Sequence, residues 1–258
     1  MSEWNPELYL RFEKERTLPV HDLISHIQIE NPKRIIDIGC GTGTSTRALL
    51  NRWPDAEIIG LDNSKTMIEA AKKSTDKIKW MLWDADKDKL PEGKFDLIFS
   101  NASLQWVKNT DDLLKNSFAA INDGGAFASQ IPYGTSMAIN IAMHNLSKAG
   151  KWTKYYEPGF NPPPYYREIG YYYDAFCTLT NNISVWETHY NHVMPSQKHI
   201  LDWYKSTGLK PFLDHLPNEE LKTEFENDLL EQLNIVYKPQ KDGNVLFPFR
   251  RLFIICYK

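Results

Sequence analysis

The stretch that decides the fold is Arg34-Ile35-Ile36-Asp37-Ile38-Gly39-Cys40-Gly41-Thr42-Gly43. A β-branched run that stops at glycine reads as a buried strand running into a tight turn. Thr44–Asn51 beyond it has helical character. Glycines in such a turn permit positive φ and let a ligand approach the backbone closely. Strand, glycine loop and helix together predict the opening unit of a layered α/β domain.

Working outward, the pattern repeats. Glu57–Asp62 (EIIGLD) predicts a second strand, and Ser64–Lys73 a helix capped by Asn63 or Ser64. Lys77–Trp83 and Phe95–Ser100 predict two more strands, Thr110–Ile121 a helix, residues 122–125 (Asn-Asp-Gly-Gly) a turn, and Ala126–Gln130 a fifth strand. Strands alternating with helices of this length imply parallel pairing with helices on both faces. Met137–Ala149 is expected to be helical. A segment dense in proline and tyrosine follows, from Trp152 to Tyr173, and reads as an insertion over the mouth of the sheet. Then come a helix over Asp174–Thr180, a strand over Ser184–Met194, helices over Ser196–Ser206 and Pro217–Tyr237, and a closing strand over Val245–Cys256. One domain of 258 residues is expected, with an N-terminal helical lid (1–30) and an insertion (133–181).

The composition agrees with a globular chain. Apolar residues make up 42% and charged residues 24%, enough apolar surface to offset the entropy of ordering. A net charge of −3, without a basic stripe, argues against wrapping a nucleic acid. Cys40, Cys177 and Cys256 have no metal-ligand spacing and suggest reduced thiols in a cytoplasm. His189 and His192, three apart in a strand, point to opposite faces, so no metal site is expected. The polar N-terminus lacks a signal-peptide core, and no apolar run is long enough to span a membrane.

Three acids end successive strands. Asp37 precedes the glycine loop, Asp62 closes the second strand and Asp84 follows the third. Open α/β sheets bind ligands at these strand ends. Asp62 suits a ribose diol. Asp84, with the backbone of Ala85, suits an adenine amine and ring nitrogen. Asp37 would repel a pyrophosphate but suits an amino group or a sulfonium-bearing amino acid. Position 44 is Thr, so the dinucleotide glycine pattern is incomplete.

These motifs resemble the class I S-adenosylmethionine-dependent methyltransferases: residues 37–43 (DIGCGTG), 60–64 (GLDNS), 83–85 (WDA) and 95–101 (FDLIFSN). The resemblance implies a Rossmann-like, seven-stranded sheet whose last strand is antiparallel, and S-adenosylmethionine as cofactor, leaving as S-adenosylhomocysteine. A closer resemblance, to the trans-aconitate methyltransferases, runs over almost the whole chain. It rests on Trp4-Asn5-Pro6, residues 101–106 (NASLQW), Met194-Pro195-Ser196, Asp202-Trp203, Thr207-Gly208-Leu209 and residues 251–254 (RLFI). It departs at Gly159–Tyr173 and Phe247–Arg251. The resemblance implies methyl transfer to a carboxylate of trans-aconitate, a small tricarboxylate. A cytoplasmic protein is expected, a monomer or weak homodimer that binds neither nucleic acid nor membrane.

A carboxylate acceptor is already ionised at neutral pH, so no general base is expected. Catalysis would come from alignment and exclusion of water. Gly39, Gly41, Asn63, Met67 and Ala85 join the three acids on the cofactor side. Tyr9, Phe12 and Arg16 share one helical face, and the resemblance implies a lid in which Arg16 meets the cofactor carboxylate. Asn101 and Trp106 are expected both to bind the cofactor and to position the reactants, Asn101 by offering its carbonyl to the cofactor ammonium or its amide to a substrate carboxylate. Arg251, Arg167, Tyr133, Gln105 and Tyr172 are the expected donors to the substrate, since a tricarboxylate calls for guanidinium forks and hydroxyls. Arg250 and Arg251 alternate on a strand, so only one of them faces the site. A different acid, an amine acceptor, and cofactor binding without chemistry remain open alternatives.

Overall fold

The computed structural model describes Glu7 and residues 11–258. The elements are α1 (Glu13–His26), β1 (Arg34–Ile38), α2 (Thr44–Arg52), β2 (Glu57–Asp62), α3 (Lys65–Lys72), β3 (Lys79–Leu82), β4 (Phe95–Asn101), α4 (Thr110–Ala119), β5 (Ile121–Pro132), α5 (Ala138–Ser147), α6 (Ile169–Cys177), β6 (Ile183–Met194), α7 (Gln197–Lys205), α8 (Lys210–Leu213), α9 (Glu219–Val236) and β7 (Val245–Tyr257). Short 3-10 turns cover Leu104–Trp106 and Gly150–Tyr155.

The strands form one sheet in the order β3-β2-β1-β4-β5-β7-β6. β1 to β5 pair in parallel, and β7 runs antiparallel to β5. The expected seven-stranded architecture is therefore present. β1 is buried at Ile35, Ile36 and Ile38, which suits a central strand covered on both faces. Ser64 caps α3 by accepting from the Met67 N–H, one of the two positions expected to do so. Asn218 caps α9 in the same way.

The chain divides into two compact units. One comprises Glu13–Pro132, Arg167–Thr188 and Arg251–Lys258, and carries the central strands. The other comprises Tyr133–Tyr166 and His189–Arg250, with Glu7 and residues 11–12. It has a core of its own, in which Trp152, Tyr156, Phe212, Phe225, Leu229 and Phe247 are buried together. Of the expected insertion 133–181, residues 133–166 fall in this second unit and 167–181 in the sheet unit.

Four local differences have physical reasons. Residues 122–125 do not form a free turn but lie within β5, as an irregularity between the Phe95–Ile121 and Leu97–Ala126 pairs. The Gly124 N–H donates to the Lys258 carbonyl and the Lys258 N–H to the Gly125 carbonyl, so the extended backbone stays paired. The α6 helix begins at Ile169 rather than Asp174, because Tyr172 and Phe176, one turn apart, are both fully buried, with Phe176 against Phe118 and Phe127. Phe12 lies in a turn before α1 and packs on Trp203 at 5.1 Å, so it does not continue a helical face into Arg16. The one-turn α8, with Pro211 in its first turn, was not expected from the pattern. Tyr9 lies outside the described residues. Among the described residues, no helix is long and apolar enough to cross a membrane.

Candidate active site

Register places a row of polar side chains across one face of the sheet, at the C-terminal ends of its parallel strands. Asp37 on β1 pairs with Gly60 on β2 and with Phe99 on β4. Side chains alternate with period two, so Asp62 and Asn101 lie on the face of Asp37. Asn101 pairs with Gln130 on β5. Gln130 pairs with Phe253 and Pro132 with Arg251, so Arg251 on β7 shares that face. Across β2-β1-β4-β5-β7 the row reads acid, acid, amide, amide, guanidinium.

The acid end is built around the glycine loop. Asp37 is fully buried, and its Oδ2 accepts from Ser45 Oγ and Thr46 Oγ1, both at 2.7 Å. Its Oδ1 has no partner. Burial outweighs these hydroxyl donors and pushes the carboxyl up to about 6. Asp62 accepts from the Gly41 N–H at 2.9 Å and the Ser64 N–H at 2.8 Å, so it braces the loop that follows β1. Burial raises its pKa, and these two N–H groups oppose the rise. Gly41 has φ +55° and open space where a Cβ would stand, which leaves its backbone approachable. At Gly39, with φ +75°, a Cβ would fall 1.9 Å from Ser103 Oγ, so glycine is what lets the β4 loop close over the β1 loop.

That β4 loop carries the amides. Ala102 has φ +52°, a left-handed conformation that costs a non-glycine residue about 1–2 kcal/mol. It turns the chain between Asn101 and Ser103. Gln105 is buried and donates to the Ala102 carbonyl at 2.6 Å. Asn101 Oδ1 and Gln105 Oε1 are buried without partners. Trp106 ends the 3-10 turn, half-buried.

At the far end Arg251 is buried, and its Nη1 donates to Gln130 Oε1 at 3.4 Å, a long contact. Gln130 is fully buried and its Nε2 has no acceptor. Buried polar atoms normally find partners, and each orphan costs about 1–3 kcal/mol. Those of the row sort by sign: acceptors from Asp37 and Asn101, a donor from Gln130.

Other expected site residues are placed as follows. Arg16 is buried on α1. Met67 is buried on the inner side of α3, where it packs, and Asn63 is exposed beside Asp62. Asp84 accepts from the Asp86 N–H at 3.0 Å and from Lys87 Nζ at 2.7 Å, and the Lys87 contact holds its carboxyl below the usual range. Asp84 thus organises its own turn. The Ala85 N–H has no acceptor among the described residues. Arg167 stacks on Tyr171 at 4.7 Å, and its Nη1 is buried without a partner. The Tyr171 hydroxyl is held by Asp111. Tyr172 is fully buried with an unpartnered hydroxyl, and burial raises its pKa. Tyr133 belongs to the other unit, where Arg250 lies over its ring at 4.4 Å. No metal-binding cluster occurs among the described residues.

A family model described as a methyltransferase domain matches residues 35–125. Over its full length the chain is 36% identical to a trans-aconitate 2-methyltransferase of Acidovorax sp. (strain JS42), covering 99% of that protein. It is also 36% identical to the enzyme of that name from Methylobacterium radiotolerans, covering 100% of this chain and 99% of that protein. The chain belongs to the trans-aconitate 2-methyltransferase family. Among solved structures it is similar to phosphoethanolamine N-methyltransferase 2 of Haemonchus contortus in complex with S-adenosyl-L-methionine (TM-score 0.59, 16% identity, 98% of this chain and 56% of that one). It is likewise similar to the YcgJ protein of Bacillus subtilis (TM-score 0.56, 16% identity, 92% and 96%). Both likenesses concern the fold.

Within this trans-aconitate 2-methyltransferase family member, sequence reasoning alone passed over Gln130, Ala102 and the Ser45–Thr46 pair. Gln130 carried a usable signal, a polar residue within the buried second half of β5, where it pairs with Asn101 at the end of β4. Ala102 carried none, because alanine has no sequence signature for a left-handed backbone angle.

Proposed function

We propose that the protein transfers a methyl group from S-adenosylmethionine to a carboxylate of trans-aconitate, forming a monomethyl ester. The observation that carries this reading is the sign order of the row: acids on β2 and β1, and a buried guanidinium with an amide donor on β7 and β5. A cationic sulfonium with its amino-acid tail suits the acid end, and a polycarboxylate suits the donor end. S-adenosylmethionine, held by Asp37, Asp62 and Asn101, would supply an activated methyl: the O–CH3 bond would take an electron pair from the carboxylate as the C–S pair returned to sulfur, with no proton moved.

The chain's own residues position and exclude. The unpartnered Asp37 Oδ1 and Asn101 Oδ1 are free to accept from an ammonium. Asp62 holds the glycine loop through Gly41 and retains lone pairs for a ribose diol. Asn63, next to Asp62 in the chain, and the Ala85 N–H, two residues beyond Trp83 whose N–H donates to the Asp62 carbonyl, would serve the nucleoside. Arg251 and Gln130 orient the acid, and Arg167 and Tyr172 offer two further unpartnered donors. With a carboxyl pKa near 4 the acceptor needs no base. Fixed donors in a dry site act by orientation, which contributes on the order of 7–11 kcal/mol where the reacting atoms are held in line.

Purified protein with methyl-labelled cofactor and a panel of di- and tricarboxylates tests this. Label should pass to trans-aconitate as a base-labile ester, with kcat flat above about pH 6, given a carboxyl pKa near 4. Cofactor binding with no label on any acid, or a rate that climbs with an amine pKa, would overturn it.

A further inference from the structure

We infer that Gln130 is a substrate-positioning residue whose amide nitrogen receives the carboxylate that is methylated. The inference rests on the proposed polycarboxylate acceptor and names the group that presents it.

Gln130 is fully buried at the end of β5, between Asn101 on β4 and Arg251 on β7. A guanidinium has only donors, so the amide oxygen must face Arg251, as the Nη1–Oε1 contact of 3.4 Å has it. That fixes the amide the other way round: Nε2 must point away from Arg251. It has no protein acceptor there, although Asn101 Oδ1, also orphaned, belongs to the paired residue on the next strand. A donor and an acceptor on neighbouring strands, buried and not bonded to each other, call for two different groups: an anionic oxygen on Gln130 Nε2, and a donor such as the cofactor ammonium on Asn101 Oδ1. Strands stand about 4.8 Å apart, so the step from Asn101 to Gln130 is where the row changes from acceptors to donors. An anionic oxygen held by Gln130 Nε2 would thus stand at the border with the cofactor side. Arg251, one strand further, would take the remaining charge of the acid.

The test is binding and turnover for two variants beside wild type. Gln130→Met keeps the volume and removes the donor. Gln130→Glu keeps the acceptor facing Arg251 and replaces the donor with a negative oxygen. Trans-aconitate binding to protein saturated with S-adenosylhomocysteine is measured by calorimetry, together with KM, kcat and the cofactor Kd. Loss of one hydrogen bond to a charged acceptor predicts roughly 10- to 100-fold weaker acid binding in Gln130→Met, with cofactor Kd unchanged. Gln130→Glu should lose more, and regain activity as pH falls and its carboxyl becomes a donor again. Unchanged acid binding and KM in both variants, with wild type active, would overturn the inference and leave the proposed function standing. Equal loss of cofactor and acid binding would also overturn it, by making Gln130 a purely structural residue. Wild type that neither binds nor methylates any polycarboxylate would defeat the proposed function and this inference with it.

Discussion

Asp37 carries the sharpest residue-scale consequence, because it is buried with one oxygen unpartnered and its pKa raised from 3.8 to about 6. The sign follows from linkage. The unfolded chain ionises near 3.8 and the folded chain only near 6, so ionisation costs the free protein stability progressively between those values. A shift of that size corresponds to on the order of 3 kcal/mol, reached above pH 6 and absent below about pH 4. A cationic ligand at Oδ1 reverses the preference, so binding should expel the residual proton. S-adenosylhomocysteine affinity, measured by calorimetry from pH 5 to 8, should therefore weaken as pH falls through about 6. Asp37→Asn should bind weakly throughout and lack that step. An identical step in the variant would assign it to another group. Ala102 gives a second test. Ala102→Gly relieves a left-handed angle worth about 1–2 kcal/mol but loosens the turn between Asn101 and Ser103. The melting temperature should hold or rise while kcat falls several-fold. A fall in stability with unchanged kcat would mean the strain positions nothing.

At the scale of elements, the β1 and β4 loops depend on one close approach. Gly39→Ala would drive a Cβ into Ser103 at a backbone angle that already disfavours it. The expected result is a folded protein of reduced stability whose cofactor affinity drops at least tenfold, an effect that Ser103→Gly should partly restore. No restoration would place the damage in the loop angle alone. This scale also shows what could be read from the chain alone. Glu57–Asp62 and the strand start at Phe95 were legible to the residue, because buried parallel strands are continuous apolar runs closed by polar residues. The start of α6 was not, since Tyr171-Tyr172-Tyr173 suits a helix, a strand or a loop until Tyr172 and Phe176 find a surface to bury against. Residues 122–125 carried a true turn signal that the C-terminal residue Lys258 overrode by pairing with it. The acids at 37, 62 and 84 were legible as strand-end positions, and register puts Asp37 and Asp62 on one face. Their roles were not, because Lys87 and the Asp86 N–H, close neighbours in sequence, engage Asp84, whereas Asp37 keeps an oxygen free.

For the whole molecule the question is whether two compact units unfold as two. Each has its own buried core, which favours separate transitions. Against that, β6 and β7 each have residues in both units, with the boundaries at Thr188/His189 and Arg250/Arg251. Melting one half of a strand would leave the ladder of the other half fraying at a new end, and unpaired backbone is costly. The strands therefore predict a single cooperative transition. Phe225, fully buried on α9 beside Trp152, Tyr156 and Phe212, probes one unit. Phe225→Ala should cost about 3–5 kcal/mol, and at about 2–4 °C per kcal/mol for a chain of this size it should lower the melting temperature well beyond error. S-adenosylhomocysteine, whose proposed partners Asp37, Asp62 and Asn101 all lie in the other unit, should raise the same transition. At 100 times its Kd it contributes about 2.7 kcal/mol, offsetting much of the loss. Scanning calorimetry of the variant with and without ligand decides the matter. One peak moved by both perturbations is the expected outcome, whereas two peaks, one answering only to the substitution and the other only to the ligand, would show that the shared strands do not couple the units.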